Sequence, residues 1–247
     1  MTIGTLVLLC LAIAVVAFLY SAVGHAGASG YIAVMTLFGM AASEIKPAAL
    51  ALNILVASLT AWQFWRARHF SWSLFWPFAV FSIPLAFRGG AYNLPIHVFK
   101  ILIGLVLLYS AARFFITASG AGEDEAVRPP SRPIAFAVGG AIGLLSGLTG
   151  TGGGIFLTPL MLFLRWAHTK PASAVSALFI LVNSLAGLAG NIGATKQLPL
   201  VTLPVAAAAI AGGAGGSYLG SQSFSPVLIK RLLAAVLTIA GIKLLFT

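Results

Sequence analysis

The feature that most constrains this chain is a glycine cluster inside an apolar stretch long enough to cross a bilayer. It occupies Gly147–Pro159, with the sequence GLTGTGGGIFLTP. Glycine is a poor helix former, and a cluster of glycines frees backbone N–H and C=O groups that hydrocarbon cannot satisfy. The sequence therefore predicts a helix that stops near Leu145 and restarts near Ile155. We expect the interrupted backbone to line an enclosed cavity, toward which the restarted helix directs its positive N-terminal end.

Composition identifies the class of protein. Of the 247 residues, 60% are hydrophobic and 7% are charged, whereas soluble domains carry about 25% charged residues. We therefore predict an all-α polytopic protein of the cell inner (plasma) membrane. The net charge of +10 is explained by Lys and Arg in short loops near anionic lipid. No basic run is long enough to follow a phosphate backbone, so nucleic acid is not an expected partner.

The chain has two similar halves on either side of a polar stretch at 118–132. Four ordered matches have slowly growing offsets of 123 to 126: Gly24–Gly30 with Gly147–Gly153, Lys46–Ala48 with Lys170–Ala172, Ala51–Leu59 with Ala177–Leu185, and Gly90–Tyr92 with Gly216–Tyr218. Such an ordered series indicates a duplication, as in many transporters. We predict a first transmembrane repeat at 1–117, a cytoplasmic linker at 118–132 and a second repeat at 133–247. Each repeat has a Gly-rich broken first helix followed by three transmembrane helices.

The basic residues favour an inverted relation between the halves. If each broken segment dips into the membrane and returns, nine Lys and Arg residues lie on the linker side and five on the other. If every segment crosses once, the distribution is seven against seven. Because basic residues concentrate on the cytoplasmic side, the first arrangement is favoured, with the linker inside and both termini outside.

Several chemistries are not expected from the ionisable residues. Glu44 lies in a predicted loop, and the other three carboxylates lie in the linker at 123–125. The membrane interior therefore offers no Asp or Glu for a proton relay or for a hydrolase. The four histidines are scattered, and Cys10 is the lone cysteine, so we predict no metal site, no cofactor and no enzyme activity.

What remains is a set of uncharged hydrogen-bonding groups at the two breaks. The predicted substrate-binding residues are His25, Gly27, Ser29, Asn53, Thr149, Gly150, Thr151, Gly152, Gly153, Asn183 and Ser184. Two helix N-termini that converge with few acids nearby suit a small anion with several acceptor oxygens, such as sulfite, a sulfonate or a carboxylate. The alternative for each Ser, Thr and Asn is a role in interhelical packing. His25 either donates a hydrogen bond to the anion or carries a proton with it, and the alternative is a neutral histidine satisfied by a backbone carbonyl.

These motifs resemble the TauE/SafE sulfite exporter family, also called the toluenesulfonate uptake permease family. The resemblance rests on Gly147–Pro159, on Lys170–Ala177 with Asn183 and Ser184, and on the two-half layout of the whole chain. The first half departs from the pattern, since His25, Ala26 and Ala28 replace part of the glycine cluster and no proline follows. The resemblance implies transport of sulfite, organosulfonates or other small organic anions. The functional positions would be the turns at Gly24–Gly30 and Gly147–Gly154, together with Asn53 and Asn183.

The sequence thus predicts a transporter that works by alternating access around a midplane site between the two broken helices. Its expected partners are the small anionic substrate and membrane lipid, and assembly into a homo-oligomer is left open. Two alternatives share the same sequence features. One is an anion channel that is open along one axis, and the other is a membrane scaffold that transports nothing.

Overall fold

The computed structural model describes residues 3–92, 108, 111–112 and 126–246. Within these ranges the chain forms helices joined by turns and contains no strand, which confirms the predicted all-α class. The end of the predicted first repeat, residues 93–117, lies almost entirely outside the described residues. So do residues 118–125 of the predicted linker.

The described helices follow the predicted order. The first half contains α1 (Ile3–Ala22), α2 (Ala28–Leu37), α3 (Ala42–Arg66) and α4 (Trp72–Ala91), and the second contains α5 (Arg132–Thr149), α6 (Gly154–Phe163), α7 (Thr169–Thr195), α8 (Leu203–Gln222) and α9 (Pro226–Phe246). Five of them, α1, α3, α4, α5 and α7, are long and apolar enough to cross a membrane. By contrast, α2 and α6 have 10 residues each. At about 1.5 Å per residue, each is only about half as long as the hydrocarbon core is thick.

Both predicted helix breaks are present, although their boundaries differ from expectation. α5 continues four residues beyond Leu145 and ends at Thr149, and α6 begins at Gly154. The helix ends where Gly150 adopts a left-handed backbone with φ 74°. The glycine at position 147 does not interrupt α5 because it packs against the backbone of α4. The sequence predicted a break within the glycine cluster, and the packing of α5 on α4 accounts for its position after Gly147.

The helix contacts support the duplication. α4 packs against α5 and α7, while α1 and α3 both pack against α8. Exchanging the halves maps α1 onto α5, α3 onto α7 and α4 onto α8. Under this exchange, the contact between α4 and α5 corresponds to the contact between α8 and α1. The contact between α4 and α7 corresponds to that between α8 and α3. The contact between α3 and α7 corresponds to itself. The inverted orientation of the two halves stays a prediction.

Glycines form two close helix seams that the sequence analysis did not use. One seam joins α5 to α4, and three glycines of α5 lie against α4 carbonyls: Gly139 on Phe78, Gly143 on Ser82 and Gly147 on Ala86. The other seam joins α8 to α1 in the same way: Gly212 lies on Ala14, Gly216 on Phe18 and Gly220 on Ala22. Membrane helices associate through close packing, since lipid tails are as apolar as the side chains. Both helices carry the pattern Gly-x-x-x-Gly-x-x-x-Gly, from which these close contacts could have been predicted.

A pair of substitutions on α7 tests whether close approach holds the helices together. A Cβ at Gly190 would overlap the carbonyl of Phe87 in α4, whereas a Cβ at Gly193 would meet nothing within 4 Å. Alanine favours a helix over glycine by about 1 kcal/mol at either position. We expect Gly190→Ala to lower the thermal unfolding temperature in detergent, and Gly193→Ala to leave it unchanged or raise it. Equal changes in the unfolding temperature of the two variants would argue against close packing of α7 on α4.

Candidate functional site

One face of α7 lies across both breaks. A Cβ at Gly24 in the first break would come within 2.5 Å of Ser173, and a Cβ at Gly152 in the second would come within 2.7 Å of Ile180. The residues of α7 that face the breaks recur every three or four positions, as one stripe of a helix requires: Ser173, Ser176, Ile180, Ser184 and Gly187. Mostly small side chains on this stripe allow the interrupted backbone to approach α7 closely.

The first break turns through Gly24 and Gly27, whose φ angles are 82° and 105°. Glycine suits both positions because side chains other than hydrogen are strained there. All seven residues of Gly24–Gly30 are buried. The hydroxyls of Tyr20 and Ser29 are 2.9 Å apart, so Ser29, predicted to bind substrate, contacts α1. The break is therefore packed protein, with its own polar network.

The second break contains Gly150, Gly152 and Gly153, whose φ angles are 74°, 79° and 83°. Thr149 Oγ1 donates to the Leu145 carbonyl at 2.7 Å and lies 2.9 Å from Thr151 Oγ1. Since the Thr149 proton is used in the first bond, the Thr151 hydroxyl donates to Thr149. Both threonines predicted to bind substrate thus stabilise the turn itself.

The N-terminus of α6 lies in the second break, where its N-cap is Gly153 and no side chain caps the helix end. The N–H groups of Phe156 and Leu157 donate to the Gly153 carbonyl. The N–H groups that precede them have no partner within a regular helix, and the helix dipole places partial positive charge there. The end of α6 in the second break is therefore suited to a negative group.

Asn53 connects the two breaks. Its Oδ1 accepts a hydrogen bond from the Ala28 N–H at 3.0 Å, at the first residue of α2. Its Nδ2 donates to the Thr151 carbonyl and to Ser184 Oγ, both at 3.3 Å. These contacts explain why a polar residue is fully buried on α3. The side chain brings together Asn53 and Ser184, both predicted site residues, but its amide is already occupied by protein partners.

His25 joins the first break to α6 and α7. Its Nε2 lies 2.9 Å from Thr158 Oγ1, and Thr158 Oγ1 donates to Ser176 Oγ at 2.7 Å. All three residues are buried. His25 was predicted from the sequence as a site residue, whereas Thr158 and Ser176 were not. A hydroxyl in an apolar helix just after a break could have indicated Thr158.

Buried polar atoms without partners cluster around the breaks. In the described ranges, such side-chain atoms are His25 Nδ1, Gln63 Oε1, Ser146 Oγ, Ser173 Oγ and Asn183 Oδ1. Apart from Gln63, these residues belong to the breaks or to the helices that flank them. Ser173 packs against Gly24, and Ser146 packs against Gly153. Because buried polar groups are usually hydrogen-bonded, such a cluster is unusual for a protein interior.

The amide of Asn183 is oriented by its own helix. Its Nδ2 donates to the Phe179 carbonyl at 2.8 Å, and a Cβ at Gly153 would lie 2.9 Å from the Phe179 ring. Asn183 is thus one turn beyond a residue that contacts the second break. Its unpartnered Oδ1 is an acceptor, since the hydrogen bond to Phe179 specifies which end is the NH₂ group. Sequence reasoning predicted Asn183 but missed Ser146 and Ser173.

The repeated Lys-Pro-Ala motif places one lysine at the start of α3 and one at the start of α7. Lys46 Nζ donates to the carbonyls of Gly90 and Tyr92 at 3.1 and 3.2 Å, and Lys170 Nζ donates to the Ser221 carbonyl at 3.4 Å. Each lysine therefore caps the C-terminal end of the fourth helix of its own half. The stem of Lys46 also reaches the second break, since Cγ is 3.0 Å from a Cβ placed on Gly150.

Substituting Asn53 tests its role as the link between the breaks. Asn53→Ala leaves the Ala28 N–H and the Thr151 carbonyl without this partner. We expect a loss of about 1–3 kcal/mol of stability from the unsatisfied buried groups. Ser58→Ala is the control, because Ser58 is exposed on the same helix and bonds only within it. Thermal unfolding of the purified variants measures both. An Asn53 variant as stable as the Ser58 variant would refute the link.

Comparison with known proteins identifies the family. The family model described as "Sulfite exporter TauE/SafE" matches residues 9–244. A curated relative from Sinorhizobium fredii, "Probable membrane transporter protein y4hK", is 38% identical over 240 residues, which cover 96% of this chain and 97% of the relative. "Probable membrane transporter protein YunE" from Bacillus subtilis is 29% identical over 171 residues, covering 65% of this chain and 62% of that protein.

No solved structure matches the chain significantly. The family match covers almost every residue, and the membrane-length helices are those of a multi-pass protein of the plasma membrane. The relatives are membrane transporters by name, and the family is a transporter family rather than an enzyme class. The chain therefore belongs to the TauE/SafE sulfite exporter family of membrane transporters.

Proposed function

We propose that this transporter carries a small anion with several acceptor oxygens, sulfite or an organosulfonate, and binds it between the two breaks. The observation that carries the proposal is the uncapped N-terminus of α6 beside buried polar atoms that lack partners. The name of the family supplies sulfite as the first candidate. Both the charge and the oxygen-rich shape of a sulfonate suit the open N–H groups.

The available groups have complementary chemistry for such a ligand. Backbone N–H groups of α6 and the hydroxyls of Ser146 and Ser173 donate to the anion oxygens. The stem of Lys46 passes beside Gly150, while its Nζ is held by the Gly90 and Tyr92 carbonyls. The Asn183 Oδ1 accepts instead, so it suits a ligand that retains a hydrogen, such as hydrogensulfite or an amino- or hydroxyalkanesulfonate. Asn53, Thr149 and Thr151 hold the turns in place rather than bind the anion.

Alternating access accounts for the buried state of the breaks. Every residue of Gly24–Gly30 is buried, and so are Gly152, Gly153 and Gly154. A substrate that binds there needs a path opened by movement of one part of the protein against another. Asn53 supports this mechanism because it joins a helix of the first half to the break of the second. We therefore propose that the described conformation is closed around the site.

Counterflow in proteoliposomes distinguishes the proposal from its two rivals. A carrier preloaded with unlabelled sulfite accelerates the entry of labelled sulfite, because each half-cycle returns a loaded site. An anion channel shows no such acceleration and no saturation at low substrate concentration. A membrane scaffold shows no flux for sulfite or for any organosulfonate tested. Either of these two results would overturn alternating access.

Gly152 tests whether the second break is needed for transport as well as for folding. Gly152 and Gly39 have similar φ angles of 79° and 72°, but a Cβ at Gly152 would meet Ile180, Asn53 and Ser184, and one at Gly39 would meet nothing within 4 Å. Alanine at either position is strained by about 1–2 kcal/mol. We expect both variants to insert in the membrane, with sulfite transport abolished only by Gly152→Ala. Equal transport by the two variants would contradict the placement of the site.

Ser146 provides a test in which stability and binding change in opposite directions. Ser146→Ala removes an unpartnered buried hydroxyl, so the ligand-free protein should be as stable as before or more stable. Sulfonate binding should weaken by about tenfold, equivalent to ~1.4 kcal/mol. Ser82→Ala is the matched control, because Ser82 is buried and bonded within its own helix.

Thermal unfolding with and without ligand measures both quantities for Ser146. A bound ligand raises stability by RT ln(1 + [L]/Kd), about 2.7 kcal/mol at one hundred times Kd. The panel contains sulfite, methanesulfonate, isethionate, taurine, sulfate, acetate and chloride. A sulfonate or sulfite shift that is reduced in Ser146→Ala and kept in Ser82→Ala supports the site. Equal shifts in the two variants would remove Ser146 from it.

A further inference from the structure

We infer that His25 is the proton-binding site of this transporter and that it loads a proton together with the anion. The inference rests on the proposed function, because it requires an anion between the breaks. It assigns a coupling ion to a protein whose described helices contain no carboxylate beyond Glu44 in the first turn of α3. Whether His25 can accept a proton depends on which of its ring nitrogens carries hydrogen.

The hydrogen bonds around His25 determine its tautomer. Thr158 Oγ1 has one proton, and it donates that proton to Ser176 Oγ. Thr158 must therefore accept at its contact with His25 Nε2, 2.9 Å away. Nε2 consequently carries the hydrogen, and Nδ1 of the neutral ring has a free lone pair. Nδ1 is buried and has no hydrogen-bond partner in the described part of the chain.

Among the described residues, the groups in contact with His25, which include the Gly154 backbone, are uncharged. From α1, the Tyr20 ring lies with its centroid 6.4 Å from the imidazole, and its hydroxyl contacts Ser29. Tyr31 of α2 donates to the Ala26 carbonyl. α6 and α7 contribute the hydroxyls of Thr158 and Ser176. At the start of α7, Lys170 extends its Nζ to the Ser221 carbonyl in α8.

Charge balance then couples the proton to the anion. An imidazolium among uncharged buried groups is costly, and so is a buried anion without a cation. When both are present, each offsets the desolvation of the other. Proton binding and anion binding therefore strengthen each other by the same factor, as thermodynamic linkage requires. An empty site holds a neutral His25, and a loaded site holds an imidazolium and an anion.

The proton step needs no rearrangement of the ring. A proton from water on the open side adds to the Nδ1 lone pair, while the Nε2–H bond to Thr158 is kept. No other bond forms or breaks, and the proton leaves Nδ1 to water on the opposite side when the anion dissociates. For a monoanion the cycle moves one proton and one negative charge in the same direction, so the transport is electroneutral.

The test uses full-length protein in proteoliposomes and methanesulfonate, the anion of a strong acid. This anion does not itself carry a proton at neutral pH, so any coupled proton is carried by the protein. Internal pH is followed with a trapped dye, and membrane potential is set with potassium and valinomycin. We expect one proton per methanesulfonate, and an uptake rate that responds to a pH gradient but not to potential.

Two histidine variants complete the test. His25→Gln should lose proton movement, and its residual methanesulfonate flux should become sensitive to potential. His69→Gln should keep the coupling, because the hydrogen bond of His69 is to the Ser221 carbonyl in α8 rather than to a residue of either break. Wild-type methanesulfonate transport without protons, or coupling that persists in His25→Gln, would overturn the inference while leaving the proposed function intact. No wild-type flux with sulfite or any sulfonate would instead overturn the proposed function.

Nitrogen-15 NMR of histidine-labelled wild-type protein supplies a test that does not depend on folding of the His25 variant. One imidazole should be protonated at Nε2 alone in the free protein and at both nitrogens when methanesulfonate is bound. The same experiment on His69→Gln should retain that signal. A ligand-free protein in which every neutral histidine carries its hydrogen on Nδ1 would refute the assigned tautomer, and with it the coupling.

Discussion

The structure depends on one constraint: backbone N–H and C=O groups freed by a broken helix must be satisfied inside an apolar protein. Asn53 supplies part of the answer, because a single buried amide serves the backbone of both breaks. Thr149 and Thr151 hold the second turn through their hydroxyls. None of these side chains caps the first turn of α6.

Close helix packing determines where that open end lies. The glycine seams bring α4 against α5 and α1 against α8 at backbone contact. α7 is then placed with one face along both breaks, so that Ser173 and Ile180 touch backbone that is distant in sequence. The proposed site would therefore lie between parts of the protein that belong to different halves, as the proposed alternating access requires.

The predicted site residues have more than one role once their contacts are known. Ser29, Thr149 and Thr151 are engaged within or beside their own turns, and Asn53 is occupied by protein partners. Asn183 keeps an unpartnered oxygen, as a ligand-binding residue would. Residue type alone could not separate these cases, because serine, threonine and asparagine serve packing and binding equally well.

Other contributors were missed because their importance comes from distant contacts. Ser146 and Ser173 are single serines in apolar helices, and only packing against Gly153 and Gly24 associates them with the breaks. Thr158 is separated from His25 by 133 positions, yet their contact determines which nitrogen of the imidazole is free. No local pattern predicts such a pair without an arrangement of helices.

Three properties of this protein could be predicted without a structure: it is helical, it lies in a membrane, and two of its helices are interrupted at glycine clusters. Those properties follow from composition and from local backbone preferences, which need no knowledge of distant contacts. The end of α5 at Thr149, the bridge that Asn53 forms between the breaks and the identity of the unpartnered polar atoms became known from the folded arrangement. Hydrogen bonds and close packing between helices far apart in the chain decide these features, and a linear pattern does not contain them.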